Sequence, residues 1–349
     1  MKFLLLLTLF ANVLCEVNLR GSPKSSTYEM ISDDNEDFHW KEFSNFQERF
    51  SKRYSNFEEV KARFAIFREN FGSIVKHNAD VTQNFTMGVN QFTDLTPEEF
   101  KAQYLRSYTS QVGSFGCKTY SSSASGVPSS IDWKVKGVVN PVRDQGQCGS
   151  CWAFATTANA ESVWAIHSGE LLDLSEEFLV DCASGAGYYN MGCNGGNPDS
   201  AFKYMINNGQ CSEASYPYKA GTTKTAGTCQ KCSAAPVHFS ACYDVKPNDQ
   251  VSLKGAVAKQ PVSIAIEADT RYFQSYSGGI LDSASCGTNL DHAVEIIGYG
   301  TENGIDYWNV RNSWSSSWGE NGYVRIKKTS STNDPGICGL AIEPSFLSV

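Results

Sequence analysis

The residues best equipped for chemistry lie at Cys148-Gly149-Ser150-Cys151, two thiols separated by two small residues. Such spacing serves a redox pair, half of a zinc site, or a nucleophile beside a structural cysteine. Ser150 is a good N-cap. The apolar positions Trp152, Ala153, Phe154, Ala158, Val163, Trp164 and Ile166 then predict a mostly buried helix. Cys151 falls in its first turn, where free N–H groups and the positive end of the helix dipole favour a thiolate. A thiolate is the form of cysteine that attacks carbonyl carbon. It needs a base, and His167, His238 and His292 follow it in sequence. His167 lies in a polar context at the end of the helix, and His238 has no companion motif. His292 sits in Leu290-Asp291-His292-Ala293-Val294, ahead of Gly298-Tyr299-Gly300.

The 349 residues allow two domains, or one large domain with an appendage. Net charge is −8 without basic blocks, which argues against a nucleic-acid partner. Twelve cysteines fit metal or redox chemistry in a cytosolic enzyme and disulfides in a secreted one. The N-terminus favours the second case. Lys2 precedes the apolar run Phe3 to Phe10, broken by Thr8 and too short to cross a bilayer. It reads as a signal peptide over residues 1–16, and no later stretch reads as a membrane anchor. The expectation is a protein of the secretory pathway.

Residues 17–37 read as a polar linker. Phe38, Trp40, Phe43, Phe46 and Phe50 then predict one helix. Glu59, Arg63, Phe67, Asn70, Ile74 and Asn78 share an arc of roughly 100° on a second. Residues 107–130, rich in serine, read as loose and suited to proteolysis. Ile131–Trp133 and Val138–Val142 read as short extended runs, and Ser175 as the N-cap of a short helix. Ala201–Ile206 reads as helical. Beyond residue 215 alternation dominates, over Val262–Ile266, Ala293–Ile297, Tyr307–Val310 and Tyr323–Ile326. A helical first domain and a β-rich second one would leave a cleft between them.

The string Cys148-Gly149-Ser150-Cys151-Trp152, with Gln145 before it and Ala153-Phe154 after it, resembles the known signature around the papain and cathepsin nucleophile. The six helix residues match the ERFNIN pattern of cathepsin L-like propeptides, and Gly88, Asn90, Phe92 and Asp94 match their G-x-N-x-F-x-D element. His292 follows Cys151 by about 140 residues, inside the family's roughly 130–150. The resemblance to papain-like cysteine peptidases covers about residues 38–349. It implies an α+β papain-like fold with a helical first domain, a β-barrel-like second domain and a cleft between them. A helical inhibitory propeptide precedes it. The expected division is a propeptide over 17–126, with its inhibitor domain over about 38–98, and a mature peptidase over 127–349.

By the same resemblance Cys151 is the nucleophile, His292 its base, Asn312 the partner that orients the imidazole, and Gln145 a donor to the oxyanion. Trp314 covers the His292–Asn312 bond. The substrate lies along Gly195, Gly196 and Asp291, and its P2 side chain enters a pocket of Asn197, Pro198, Ala265, Leu290, Ala293 and Glu343. Most of these are apolar or small, so a hydrophobic P2 residue is expected. Glu343 at the pocket floor would admit arginine; a surface carboxylate is the competing reading. Implied disulfides are Cys148–Cys193, Cys182 with Cys229 or Cys232, and Cys286–Cys338. That leaves Cys211, Cys242 and one of Cys229 and Cys232, for one further bridge and one odd thiol. The chain needs no metal or organic cofactor. Its partners would be protein and peptide substrates, its own propeptide, and cystatin-like inhibitors of a monomeric enzyme. The sequon Asn84-Phe85-Thr86 would place an N-glycan on the pro-segment. A lysosome- or vacuole-like compartment and the extracellular space are both compatible. A catalytically inactive binding or storage protein and a secreted disulfide oxidoreductase are the alternatives. The second requires Cys148 and Cys151 to be free together. Ser315, Ser316 and Ser317 depart from the family, which often has glycine first after the tryptophan.

Overall fold

The computed structural model describes residues 35–106, 113–185 and 187–349. The expected signal peptide and most of the linker lie outside these residues. Helix α1 (Glu36–Arg49) starts where Asn35 Oδ1 accepts from the Phe38 N–H. Helix α2 (Phe57–Ala79) carries all six motif residues. The two helices cross through Phe43, Phe46, Phe64 and Phe67, with Trp40 stacked on Phe64. Asn70 donates to the Thr93 and Leu95 carbonyls, and Asn78 to that of Met87, so the motif's polar residues fold the following chain back onto α2. That chain forms strand β1 (Phe85–Met87) and then helix α3 (Pro97–Tyr104). A Thr96–Glu99 capping box opens α3. Arg63 ties α2 to Glu99, and Asp94 is held by Lys52 and the Tyr54 hydroxyl.

Strands β2 (Lys118–Tyr120) and β3 (Ile131–Asp132) precede helix α4 (Cys151–Ser168). The stretch Val138–Val142, expected to be extended, forms no strand. Helix α4 is buried over most of its length and stops at Gly169, whose φ of 78° is left-handed. Ser150 does not cap it through its side chain; the Ser150 hydroxyl bonds Tyr218 Oη instead. Helices α5 (Glu176–Cys182) and α6 (Pro198–Asn208) complete the first domain. Ser175 caps α5, with its hydroxyl oxygen accepting from the Phe178 N–H.

The second domain continues through strand β4 (Ala241–Val245), helix α7 (Gln250–Val257), and strands β5 (Val262–Ile266), β6 (Tyr276–Leu281), β7 (His292–Glu302), β8 (Ile305–Arg311), β9 (Tyr323–Lys327) and β10 (Ser345–Ser348). Single-turn helices lie at Ala220–Thr223, ahead of β4, and at Arg271–Gln274, between β5 and β6. The strands follow the open path β1-β6-β9-β8-β7-β5-β10-β4-β2, with β3 on β7, so the expected barrel is a sheet that does not close. Buried polar groups fasten α4 to this sheet. Asn159 donates to the Pro261 carbonyl and accepts from the Leu347 N–H, and the Ser263 hydroxyl donates to the Ala155 carbonyl. Because Ala265 pairs with Ala293 and Ile266 with His292, these anchors set the start of β7 beside the start of α4.

The cysteines pair as Cys148–Cys193, Cys182–Cys229, Cys211–Cys232, Cys286–Cys338 and Cys117–Cys242. Among the described residues Cys151 alone is free. Among the described residues the expected odd thiol is absent, because Cys117, upstream of the expected boundary, takes Cys242. Residues 113–126 are therefore not loose: β2 pairs with β4 in parallel, and a disulfide fixes the segment.

Candidate active site

Cys151 opens α4, is 5% exposed, and packs on Ala155 and Ala293. The loop before it is held at both ends. Gln145 donates its N–H to the Ser313 carbonyl, and Gly149 donates to the carbonyl of Cys193. Gly146 has a φ of +57°, and a Cβ there would meet the Gly221 carbonyl oxygen at 2.7 Å, so glycine is required. The Cys148–Cys193 bridge ties this loop to Gly192–Gly196. It also makes a Cys148–Cys151 redox pair impossible while that bridge stands.

His292 is fully buried at the first position of β7. Its Nε2 lies 2.7 Å from Asn312 Oδ1, and the Trp314 indole stacks on the ring at 4.5 Å between centroids. Nδ1 has no hydrogen-bond partner among the described residues. An amide oxygen accepting from Nε2–H would fix the tautomer that leaves Nδ1 free to exchange a proton. The Ser313 hydroxyl donates to Gln145 Oε1 at 2.6 Å, which turns the Gln145 NH2 away to act as a donor. Ser313 stands between Asn312 and Trp314, yet sequence reasoning gave it no role.

The Gln145 NH2 is occupied. Nε2 donates to the carbonyls of Tyr104 and Cys148, each at 3.0 Å. Tyr104, Leu105 and Arg106 lie across the cleft. Leu105 is fully buried, and Arg106 donates its N–H to the Asp291 carbonyl. A Cβ on Gly149 would fall 2.5 Å from Arg106 Cγ, so the pro-segment rests on bare backbone there. Trp314 is gripped from the same side. Phe92 and Phe100 meet it edge-on at 5.4 and 5.2 Å, and Gln91 donates to its carbonyl. Phe92 belongs to the motif read in sequence, whereas Tyr104, Leu105 and Arg106 carried no signal there.

Burial governs the charge of the pair. It pushes the Cys151 thiol up to about 11 and His292 down to about 4, against the Asn312 bond that favours imidazolium. Burial thus opposes the charged form of both groups while the cleft is covered. Asn197, Pro198, Ala265, Asp291, Leu290, Ala293 and Glu343 are all buried. Asn197 is the N-cap of α6, its Oδ1 accepting from the N–H groups of Asp199 and Ser200. Glu343 lies near the buried Asp199 and is not a surface carboxylate. Beneath the site, Arg143 pairs with Glu176, and Arg311 lies between Glu161 and Glu295, a buried ionic layer that sequence reasoning missed. Among the described residues one group has metal-ligand spacing, Cys117 with Asp199 and Asp244, and its sulfur is committed to a disulfide. No described helix is long and apolar enough to cross a membrane. The arrangement joins a thiol, an oriented imidazole and an amide donor, the set required for acyl transfer through a thioester.

The family model for papain family cysteine proteases matches residues 127–347, and that for the cathepsin propeptide inhibitor domain matches residues 43–100. The chain is 44% identical over 295 residues to germination-specific cysteine protease 1 of Arabidopsis thaliana, covering 81% of this chain and 76% of that protein. Its fold matches the recombinant stem bromelain precursor with a TM-score of 0.80 at 38% identity, over 89% of this chain and 99% of the other. It matches digestive procathepsin L2 of Tenebrio molitor larval midgut with a TM-score of 0.80 at 35% identity, over 89% and 100%.

Proposed function

The chain belongs to the papain family of cysteine proteases and carries that family's propeptide inhibitor domain, and from this premise we propose the role of each residue. The protein is a cysteine endopeptidase made as a zymogen. Once the pro-segment leaves and water re-enters, the proton of Cys151 passes to His292. The thiolate attacks a peptide carbonyl carbon, and the carbonyl electron pair moves onto oxygen. That oxyanion takes the place of the Tyr104 carbonyl before Gln145 Nε2, with the Cys151 N–H as second donor; such a donor is worth about 2.7–4 kcal/mol. His292 gives its proton to the leaving amine, which departs as the thioester forms. It then takes a proton from water, whose oxygen displaces Cys151 and releases the acid.

The observation that carries this reading is the His292–Asn312 contact of 2.7 Å under Trp314, set beside Cys151 and Gln145. Asn197, Pro198, Ala265, Leu290 and Ala293 line a pocket for a hydrophobic P2 residue, and Glu343 extends its reach to arginine. Gly195, Gly196 and Asp291 bind the substrate backbone. The inhibitory propeptide lies N-terminal to the peptidase domain, whose family match begins at residue 127. The chain enters the secretory pathway, and acid there starts processing, which suits a lysosome- or vacuole-like compartment or an acidic secretion. The processed enzyme is a monomer that cystatin-like inhibitors would occupy in place of the pro-segment. Asn84, exposed, carries the N-glycan. The test is labelling by an epoxysuccinyl inhibitor before and after acid incubation, with intact-mass analysis. One adduct on Cys151, formed only after processing, supports the reading. Failure of the folded, processed chain to label moves an inactive binding protein to the front.

A further inference from the structure

The Cys117–Cys242 disulfide crosses the boundary at which an inhibitory segment would part from its enzyme. Cys117 lies upstream of residue 127, where the peptidase family model begins, and Cys242 lies in strand β4. Their neighbours are in register, with Lys118, Thr119 and Tyr120 opposite Tyr243, Asp244 and Val245. The bridge therefore joins adjacent strands one step ahead of that ladder. We propose that residues from about Gly113 to Gly126 are an N-terminal arm of the active enzyme, held by this disulfide. Freeing the cleft then requires a cut on the N-terminal side of Cys117, because a cut at 126/127 alone leaves the whole pro-segment tethered.

Three further observations place the arm with the enzyme and not with the inhibitor. Its contacts lie on both enzyme domains. Phe115 is 5% exposed and meets Tyr189 of the first domain, while Tyr120 meets Phe346 of β10 edge-on. The Gly113 N–H donates to Asp244 Oδ2, and an Asp244 carboxylate oxygen lies within 4.8 Å of one belonging to the buried Asp199 at the start of α6, so the arm closes a polar seam between the domains. Finally, the enzyme is shaped to receive it. A Cβ on Gly255 of α7 would lie 2.5 Å from Ser122 Cβ, and Ser122 exchanges hydrogen bonds with Ser252. By contrast, the inhibitory helices contact the opposite edge of the sheet through β1 on β6. Losing β1 with the inhibitor uncovers one sheet edge; losing the arm as well would uncover both.

If the cut fell at 126/127 alone, the severed pro-segment would remain an intramolecular ligand at high effective concentration. It could leave only after a thiol reductant exchanged with the bridge. Two thiols of the reductant would be oxidised to a disulfide, and Cys117 and Cys242 would each gain a proton. A cut before Cys117 needs no reductant.

The inference rests on the peptidase reading, and one experiment separates the two. The full zymogen is processed in acid, labelled with an epoxysuccinyl inhibitor, and weighed intact with and without reductant. Thiols are then alkylated under denaturing, non-reducing conditions. The expected labelled species contains Cys117 and has no alkylatable thiol, since Cys151 carries the label and Cys242 is bridged. Its N-terminus lies upstream of Cys117. Recovery of a labelled chain that starts near residue 127, with Cys242 alkylated, would overturn the inference and leave the peptidase reading intact. So would an active species in which the entire pro-segment is still attached and separates only on reduction. Absence of any label would sink the peptidase reading itself.

Discussion

Phe100 offers the sharpest test of how the pro-segment keeps the site closed. The side chain is 0% exposed, and its ring has three aromatic neighbours: Phe92 at 4.9 Å, Tyr104 at 5.6 Å and Trp314 at 5.2 Å. Truncating a buried phenylalanine to alanine costs about 3–5 kcal/mol. Two neighbours belong to the pro-segment and one to the enzyme. Assigning a third to a half of the loss to docking gives about 1–2.5 kcal/mol, or roughly 5- to 70-fold in the open fraction. The assay is the rate at which an epoxysuccinyl inhibitor labels Cys151 in the intact Phe100→Ala zymogen at neutral pH. It should rise by that factor while far-UV circular dichroism keeps the pro-helices. Phe43→Ala is the control. Phe43 is 0% exposed and packs on Trp40, Phe46, Tyr54, Phe64 and Phe67, none of them in the enzyme, so helicity itself should fall. A Phe100→Ala zymogen that retains its helices and labels within twofold of the parent would refute the reasoning.

Gln145→Ala should lower kcat by about 10²–10³ with little change in KM, because the amide serves the oxyanion more than the ground state; steady-state kinetics on a processed sample decide it, and a KM effect alone would count against the assignment. Glu343→Ala should selectively reduce cleavage of Arg-Arg over Phe-Arg substrates, and equal loss on both would remove Glu343 from specificity. The Arg63–Glu99 pair predicts acid sensitivity. Burial pushes Glu99 upward, but the Arg63 guanidinium and the Thr96 N–H outweigh it and hold Glu99 below its ordinary 4.5. A depressed carboxylate contributes stability above its unfolded value, and that contribution is lost as pH falls through the folded one. Glu99→Gln should therefore move the midpoint of zymogen activation toward neutral pH, and an unchanged midpoint in a pH series of labelling rates would refute that link.

The sequence was most legible where a residue's type and its spacing both matter. Cys151, His292 and Asn312 could be named as candidates because the strings around them resemble those of a known family, and α2 because its six motif residues share one face. Ser175 was readable because capping is a local interaction. The failures have a common cause. Ser150 has the right type for an N-cap but spends its hydroxyl on Tyr218, a partner 68 positions away. The serine-rich residues 113–126 lack hydrophobic periodicity, so their order comes from long-range partners, pairing with β4 and the Cys242 bridge among them, which no local pattern announces. Arg143, Glu161, Glu176, Glu295 and Arg311 carry no local sign that the fold brings them together. Chemistry leaves a local signature in the chain; long-range burial does not.

That buried layer also explains how one change in pH can act on the two halves of the molecule in opposite directions. In the enzyme body, burial pushes Glu176, Glu295 and Asp291 up to about 8. Groups raised in the folded state contribute stability at acid pH and lose it as pH rises through the folded value. Burial pushes Asp249 up, but the Ser252 N–H and hydroxyl, with Lys246, outweigh it, and the Thr301 hydroxyl and Lys328 hold Asp306 low, so these two run the other way. In the pro-domain the shifted carboxylates Glu59, Asp80 and Glu99 are all depressed, by bonds from Ser55, from Thr82 and Gln83, and from Arg63. Acidification from 8 toward 4.5 therefore strengthens the contribution of these carboxylates to the peptidase, offset in part by the cost of charging the buried His292, and further acid weakens the inhibitor that covers it. Differential scanning of the zymogen should resolve two transitions that converge on raising the pH and separate on lowering it, the pro-domain melting first in acid. A pro-domain that gains stability relative to the enzyme body below pH 4.5 would break this argument.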